Sequence, residues 1–576
     1  MPKKIWKIKP QPEEFTVKSL AESLNISEVL AHLLVLRDIK NYHQAKKYFR
    51  PSLELIYDPF LMNGMDAATS RVIKAVTENE LICIYGDYDV DGTCATALLY
   101  MFLRELDAQV EFYIPKRLTE GYGISKVGVE HIKSTGASLL ISVDCGITAI
   151  EETKLANELG IDVIICDHHQ PKDEMPSAFA ILDPLKPNCN YPFKYLSGAG
   201  IAFKLAQGIS DRIGKHNLPF KYLDLVALAA SADIVPLIDE NRILVKEGLN
   251  QINSSPRPGI AALIRSSHLE PGDLTSGQIV FTIAPRINAV GRLGDAERAV
   301  KLLITENIEE AFAFAEVLES ENYERRKIDE GTFSQALDIV ETQLDLDKNL
   351  AIILHEESWH PGVIGIVASR LVEKYYRPTI MLTTVDGIAK GSARSTGNFN
   401  IYEALKKCED LLIHYGGHHS AAGLAVEVDK IEEFKTKFNQ IVKETIGEQE
   451  FIPEINIDAK IKFSDLTPKF FRIIDQFAPF GPGNMRPVFL AENLHVEGKP
   501  RFVGNNHLIL ALKQTGNEKI IDCIGFNMGE YCEKLSNNNS PIEAVFSIDK
   551  YSKDGKTFPQ LKLKDIHINE NNQENN

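Results

Sequence analysis

The stretch ICIYGDYDVDGTCAT, residues 82–96, decides how the first half of the chain is read. Asp87, Asp89 and Asp91 stand two residues apart, directly after an apolar run. D-x-D-x-D-G is the opening half of an EF-hand calcium loop, which closes on a bidentate Glu at its twelfth position and follows a helix. Here the twelfth position is Leu98, and the preceding LICIY is short, apolar and partly β-branched, as a buried strand is. The calcium loop fails on both counts. Three acids are left at the end of a strand, and something must hold them together.

The same rhythm recurs downstream. SLLISV (138–143) runs into Asp144, and DVIIC (162–166) runs into Asp167-His168-His169, with a helical pattern after the first two units. QVEFYIP supplies a further strand, and YLDLVALAASADIVPL reads as a helical stretch carrying Asp233. Short apolar runs alternating with helices predict a parallel sheet with helices on both faces. Such sheets bind ligands outside the carboxyl ends of their strands, so the three acid-bearing ends converge on one rim.

Each residue alone has a plainer reading. An Asp after a strand commonly caps a helix, a His-His pair is commonly hydrogen-bonded structure, and Asp233 reads as a buried cap or ion-pair partner. Together they carry more weight, because this many clustered carboxylates repel one another unless cations are present. An oxygen-rich set with one or two imidazoles suits Mn²⁺ or Mg²⁺; Zn²⁺ suits it less, since no thiolate motif takes part.

Outside this region, 576 residues predict roughly three to five domains. Residues 306–345 are rich in helix formers and charge and read as one or two long connecting helices. A second α/β region begins at LAIILHEESWHPGVIGIVASRLVEKY, IGEQEFIPE reads as a polar linker, and strand-like pieces between 455 and 568 predict a small β-barrel or sandwich. The terminal INENNQENN is polar enough to read as disordered. The net charge of −17 argues against non-specific nucleic-acid binding, but a basic groove can hide in an acidic total. No apolar run reaches membrane length, no secretory h-region opens the chain, and the eight cysteines form no C-x-x-C pair. Free thiols in a cytoplasmic protein are the expectation.

YGDYDVDG, SVDCG, CDHH and SADIVPL, in that order, resemble the four motifs of the DHH phosphoesterase superfamily. GYGIS, APRINAVGRLGDA, HPGVIGIVASRL, GSARS and YGGHHSAAG make the chain similar to its branch of bacterial single-strand-specific exonucleases. The resemblance implies an N-terminal extension (1–75), a DHH phosphoesterase domain (76–240) and a helical connector (241–345). It further implies a DHH-associated substrate-binding domain (346–446), an OB-like nucleic-acid-binding domain (455–568) and a tail (569–576). It implies a two-metal enzyme that hydrolyses single-stranded DNA 5′→3′ to 5′-mononucleotides in repair and recombination.

Carried over residue by residue, Asp89, Asp91, Asp144, His168 and Asp233 match the metal ligands, with Asp144 bridging. His169 would sit beside the scissile phosphate, and Asp167 would orient an imidazole. Superfamily members often carry His where this chain has Tyr85, a poor ligand for these ions, so either Asp87 or a water would fill that position. Ser392 and Arg394, assisted by Arg117, match residues expected to hold a terminal 5′-phosphate; arginine forks suit that task. Arg286 and Arg292 would contact backbone phosphates or brace the domain interface. His418 and, more weakly, His360 are further candidates, while ERRK (324–327) reads as a solvated helical face. By family alone, a single-strand-binding protein and a RecQ-like helicase would be partners of a monomer without membrane contact. The rivals are a DHH phosphodiesterase of short oligonucleotides or cyclic dinucleotides, and a non-catalytic replication scaffold of the same fold.

Overall fold

Strand β1 (Ile5–Ile8) lies with the C-terminal part of the chain, and the first large sheet begins at β2 (Ile82–Gly86). It continues with β3 (Val110–Tyr113), β4 (Leu139–Val143), β5 (Asp162–Cys166) and β6 (Ala180–Leu182). The strand order is β3-β2-β4-β5-β6, and every pairing is parallel. All residues of β2 and β4 are buried, as a parallel sheet covered on both faces requires. Ile82, Ile84, Leu139 and Ile141 pack on one face with helices Val90–Arg104, Gly198–Ile213 and Leu223–Ala232. Cys83, Tyr85, Leu140 and Val163 pack on the other with Val129, Ile132 and Ala156. The computed structural model describes residues 4–117, 119–397, 399–446, 452–504, 506–538, 540–553 and 556–568; the tail and most of the IGEQEFIPE linker lie outside these.

The first core does not stop at residue 240. Ile260, Leu263, Val290, Leu303, Ala311 and Leu318 belong to it, so much of the expected connector is packed onto the first sheet domain. Only the 36-residue helix Ile308–Gln343 connects. At about 1.5 Å per residue it spans about 54 Å. Ala311 and Leu318 sit in the first core, while Ala336 and Val340 join Ile352, Trp359 and Val367 of the second region.

That region holds β7 (Ile352–His355), β8 (Thr379–Val385), β9 (Ile388–Arg394), β10 (Leu412–Gly417) and β11 (Ala421–Glu427). Their order is β10-β11-β9-β8-β7, antiparallel apart from β7–β8. Beyond it, β12 (Glu454–Ile457) pairs with β1. Then come β13 (Ala459–Lys460), β14 (Val488–Val503), β15 (His507–Gln514), β16 (Ile520–Gly525), β17 (Ile542–Lys553) and β18 (Lys556–Ile568). The order β14-β15-β16-β18-β17 closes because β17 also pairs with β14. With helix Tyr531–Ser536 between β16 and β17, this is an OB-type barrel.

The N-terminal segment is not a separate preface. Val17, Leu20, Leu30 and Leu34 share one core with Phe463, Phe470 and Phe489 of the barrel module, and the Trp6 indole donates to Asp565 at 2.8 Å. Arg242 ties this module to the first domain: stacked 3.9 Å over Tyr48, it donates to the carbonyls of Tyr48, Gln476, Phe477 and Ala478. Among the described residues no helix is long and apolar enough to cross a membrane.

Candidate metal centre

The aspartates of the opening stretch ride a strand-to-helix turn. Asp89 caps helix Val90–Arg104 by accepting the Gly92 N–H at 3.1 Å. A Cβ at position 92 would lie 2.5 Å from the Asp87 carbonyl oxygen, so the turn closes this tightly only with glycine. Asp91, in the first helical turn, accepts the N–H groups of Gly198 (2.6 Å) and Ala199 (2.7 Å) at the start of helix Gly198–Ile213. That positive helix end favours an anion and fixes the carboxylate rigidly. Asp144, at the end of β4, adopts φ +61°, a conformation uncommon for non-glycine residues and often found at functional sites. Asp233 is the residue that ends helix Leu223–Ala232 rather than one within it, as the sequence suggested, and its side chain is 28% exposed.

The acids and imidazoles meet. His168 Nε2 lies 3.0 Å from Asp144 Oδ1 and 3.7 Å from both Asp91 Oδ2 and Asp233 Oδ2. Three sets bring their ligand atoms within 4.8 Å of one another: Asp87, Asp89 and Asp144; Asp91, His168 and Asp233; and Asp144, His168 and His169. Asp144 therefore stands between two groups, each able to hold one ion.

Electrostatics supports the same reading. Burial, then the charge of Asp89, pushes the Asp91 carboxyl up to about 7. Burial, then Asp91 and Asp89, pushes Asp233 up to about 8. Asp87 and Asp144 are raised well above the usual carboxylate range by burial and their acidic neighbours. Asp87 Oδ1 is buried with no hydrogen-bond partner among the described residues. A buried, under-partnered, oxygen-rich cluster fits hard divalent cations. Tyr85 does not take part. Its hydroxyl donates to the Gly123 carbonyl and accepts the Ser125 N–H, both at 3.1 Å, and its ring packs on the opposite face of the sheet. Asp87 is the residue left beside Asp89 and Asp144.

Asp167 serves His169. Its Oδ1 accepts His169 Nδ1 at 2.7 Å and the N–H groups of His168 and His169, while Oδ2 accepts the Ile147 N–H at 2.9 Å. Burial works against charge on His169, but the Asp167 hydrogen bond and charge, together with the charges of Asp233 and Asp91, outweigh it and hold the imidazolium up to about 9. His168 is pushed the other way, down to about 4, by burial and then by the charge of His169. One imidazole is kept neutral, as a ligand must be, and its neighbour cationic.

In the second α/β region, Arg394 in β9 donates to Ser392 Oγ at 3.0 Å. Gly365 passes so close that a Cβ there would lie 2.8 Å from that oxygen. Arg292 is held by the Gly362 carbonyl at 2.9 Å, and burial, then the charges of Arg117, Arg325 and Arg394, pull it down to about 10. Burial and Arg117 likewise lower Arg394. Arg292 thus feels Arg117, Arg325 and Arg394, and Arg394 in turn feels Arg117. Arg286 is not among them: it is buried, ion-paired to Glu319 at 2.5 Å and bonded to the Thr282 carbonyl, which makes it a brace. His418 is exposed in the β10–β11 hairpin, where Ala421 pairs with Arg394, and His360 only closes a turn onto the Gly362 N–H.

Several residues escaped the sequence reading. Arg325 lies in the run expected to face solvent, but only 12% of its side chain is exposed, and it bonds Asn322 at 2.7 Å; its neighbour Arg326 is the solvated one. Asp183, at the end of β6, is fully buried with Oδ2 unpartnered, and burial holds it up to about 7. It is a fourth acid at a strand end, hidden because Asp-Pro reads first as a turn. Tyr88 and Tyr122 also line the site, and the glycines around Tyr122 were the signal for the latter.

Residues 81–230 match the DHH family, N-terminal domain; residues 347–444 match the DHHA1 domain; and residues 457–565 match the RecJ OB domain. The single-stranded-DNA-specific exonuclease RecJ of Bacillus subtilis is 40% identical over 569 residues, 98% of this chain and 71% of that protein. The protein of the same name from Salmonella typhimurium is 33% identical over 88% of this chain and 90% of its own length. Among solved structures, RecJ from Thermus thermophilus in complex with Mn²⁺ superposes with a TM-score of 0.84 at 29% identity, covering 98% of this chain and 79% of that one. The same protein in complex with Mg²⁺ gives 0.77 at 28% identity, with 98% and 78% covered.

Proposed function

The chain belongs to the RecJ family of single-stranded-DNA-specific exonucleases, and from that premise we propose that it removes 5′-mononucleotides from the 5′ end of single-stranded DNA. The observation that carries this reading is the convergence of Asp87, Asp89, Asp91, Asp144, His168 and Asp233 on one sheet rim, with Asp144 shared between two ligand sets. Asp87, Asp89 and Asp144 would hold one divalent cation, Mn²⁺ or Mg²⁺. Asp91, His168 and Asp233, with Asp144 again, would hold the other. When bound, two such cations lower the pKa of a water, polarise the phosphoryl group and offset charge on the leaving oxygen.

The chain's own residues supply the rest. The Gly198 and Ala199 amides hold Asp91 in one orientation. Asp167 fixes the ring of His169 and keeps it cationic, so that it presents positive charge to a phosphate oxygen. Ser392, Arg394 and Arg117, with Arg292 behind them, offer a cationic recess for a terminal phosphate, which would set the 5′→3′ direction. His418 stands at the edge of that recess. Arg286 acts on substrate only through the helix it braces. The barrel adds a surface for the trailing strand.

The long connecting helix and the barrel favour polymeric DNA over dinucleotides, and the intact acid set favours catalysis over a scaffold. On family grounds the reading extends to action in repair and recombination as a cytoplasmic monomer, beside a single-strand-binding protein and a RecQ-like helicase. Digestion of 5′-labelled and 3′-labelled single strands, with and without a 5′-phosphate, in Mg²⁺ and in Mn²⁺ tests the whole. Release of label as mononucleotide from the 5′ end first supports it, and release from the 3′ end first refutes it.

A further inference from the structure

Tyr122 belongs to none of the ligand sets, yet the two halves of the site touch through it. Its hydroxyl lies 3.3 Å from the Asp144 carbonyl oxygen and 3.2 Å from His169 Nε2. Since Asp167 engages His169 Nδ1 at 2.7 Å, Nε2 is the nitrogen free to meet that hydroxyl. The Tyr122 ring stands edge-on to His169 at 5.8 Å and edge-on to Tyr88 at 6.5 Å. Tyr88 in turn carries the Arg117 guanidinium at 5.1 Å from its ring centroid. Arg117, Tyr88, Tyr122 and His169 form one unbroken chain of contacts. Edge-to-face and cation–π geometries are directional, so moving one member changes the preferred place of the next.

The backbone around Tyr122 is built to let that happen. Gly121 and Gly123 take φ +85° and +82°, and a Cβ at either position would meet nothing within 4 Å. These glycines serve backbone conformation, not close packing. The Tyr122 residue is 55% exposed, so truncating its side chain leaves the core intact.

We propose that Tyr122 is a positioning residue that couples capture of the substrate's terminal phosphate by Arg117 to the placement of His169 beside the scissile phosphate. The proposal rests on the reading of Arg117 given above. It adds that a terminal phosphate speeds the chemical step and does not merely tighten binding. An interaction realised only when the reacting geometry is reached appears in kcat, whereas uniform binding appears in KM.

The test measures kcat and KM on 5′-phosphorylated and 5′-hydroxyl single strands in Mn²⁺, for the native protein, Tyr122→Leu, Tyr122→Phe, Arg117→Ala and the Tyr122→Leu/Arg117→Ala double variant. Native protein shows a higher kcat on the phosphorylated strand. Tyr122→Leu lowers that kcat about 10-fold, brings the two strands level and leaves KM within about two-fold. Tyr122→Phe keeps the ring contacts but loses the hydroxyl's contacts with His169 Nε2 and the Asp144 carbonyl, so it retains only part of the difference between the strands. Arg117→Ala levels the strands too, and the double variant is no worse than the poorer single one, as members of one chain are non-additive. If Arg117→Ala keeps the native difference, the phosphate reading of Arg117 fails and the coupling fails with it. If Arg117→Ala levels the strands but Tyr122→Leu does not, or changes KM alone, Arg117 stands and the coupling is overturned.

Discussion

Raising the pH from 6.5 to 8 should destabilise the metal-free protein far more than the Mn²⁺-loaded protein. Asp233 is held up to about 8, first by burial and then by Asp91 and Asp89. An unfolded chain loses that proton near pH 4, so across this window the folded state binds more protons and its stability falls as pH rises. Each unit of pH over which that difference persists costs about 1.4 kcal/mol, so Asp233 alone costs about 2 kcal/mol between pH 6.5 and 8. Asp91, held up to about 7, adds to the loss early in the window. His169, raised to about 9, has the same sign: its contribution is complete below 6.5 and fades as pH rises through 9. His168, depressed to about 4, has the opposite sign, but its window lies between 4 and 6.5. Chemical denaturation in chelator, followed at several pH values, reads the slope. Saturating Mn²⁺ keeps the carboxylates ionised and removes their part of it, and Asp233→Asn makes it shallower without metal. A metal-free stability that is level or rising from pH 6.5 to 8 would refute the crowding argument.

Asp144→Asn should abolish Mn²⁺-dependent hydrolysis while raising metal-free stability, because it relieves the cost of keeping a buried carboxyl protonated among acidic neighbours; activity assays and chelator melts check both. Asp91→Asn should differ in sign on stability. Its amide oxygen can satisfy only one of the Gly198 and Ala199 N–H groups, leaving a buried donor unpaired at about 1–3 kcal/mol. Asp167→Asn removes the carboxylate that holds His169 cationic, so the alkaline limb of the pH–rate profile should move down towards the ordinary histidine range. Arg394→Lys keeps the charge but loses the planar fork; kcat/KM on a 5′-phosphorylated strand should fall about 10-fold or more, and far less on a 5′-hydroxyl strand.

The strand ends were legible because they obey local rules. Short, largely apolar strands, each followed by an acid, announce a parallel sheet, and topology does the rest. Asp233 was legible only as an isolated acid in an apolar run. Its position as the residue that ends the helix, facing His168, needed the helix to stop one residue earlier. What the sequence hid depends on contacts between distant segments. The helices of residues 14–49 carry ordinary amphipathic patterns, and nothing local says that their apolar faces meet Phe463 and Phe489. Arg325 and Arg326 are adjacent in a charged run, yet the helical turn buries one beside Asn322 and leaves the other to solvent. Arg286 and Arg292, six residues apart in one motif, also divide: Glu319 claims the first, and the second feels Arg117, Arg325 and Arg394.

Anomalous diffraction from crystals grown with Mn²⁺ addresses the central claim most directly. Two peaks are expected about 3.5–4 Å apart, one contacted by Asp87 and Asp89, the other by Asp91, His168 and Asp233, with Asp144 touching both. A lone peak that Asp144 does not touch, or ions lodged away from this rim, would contradict it.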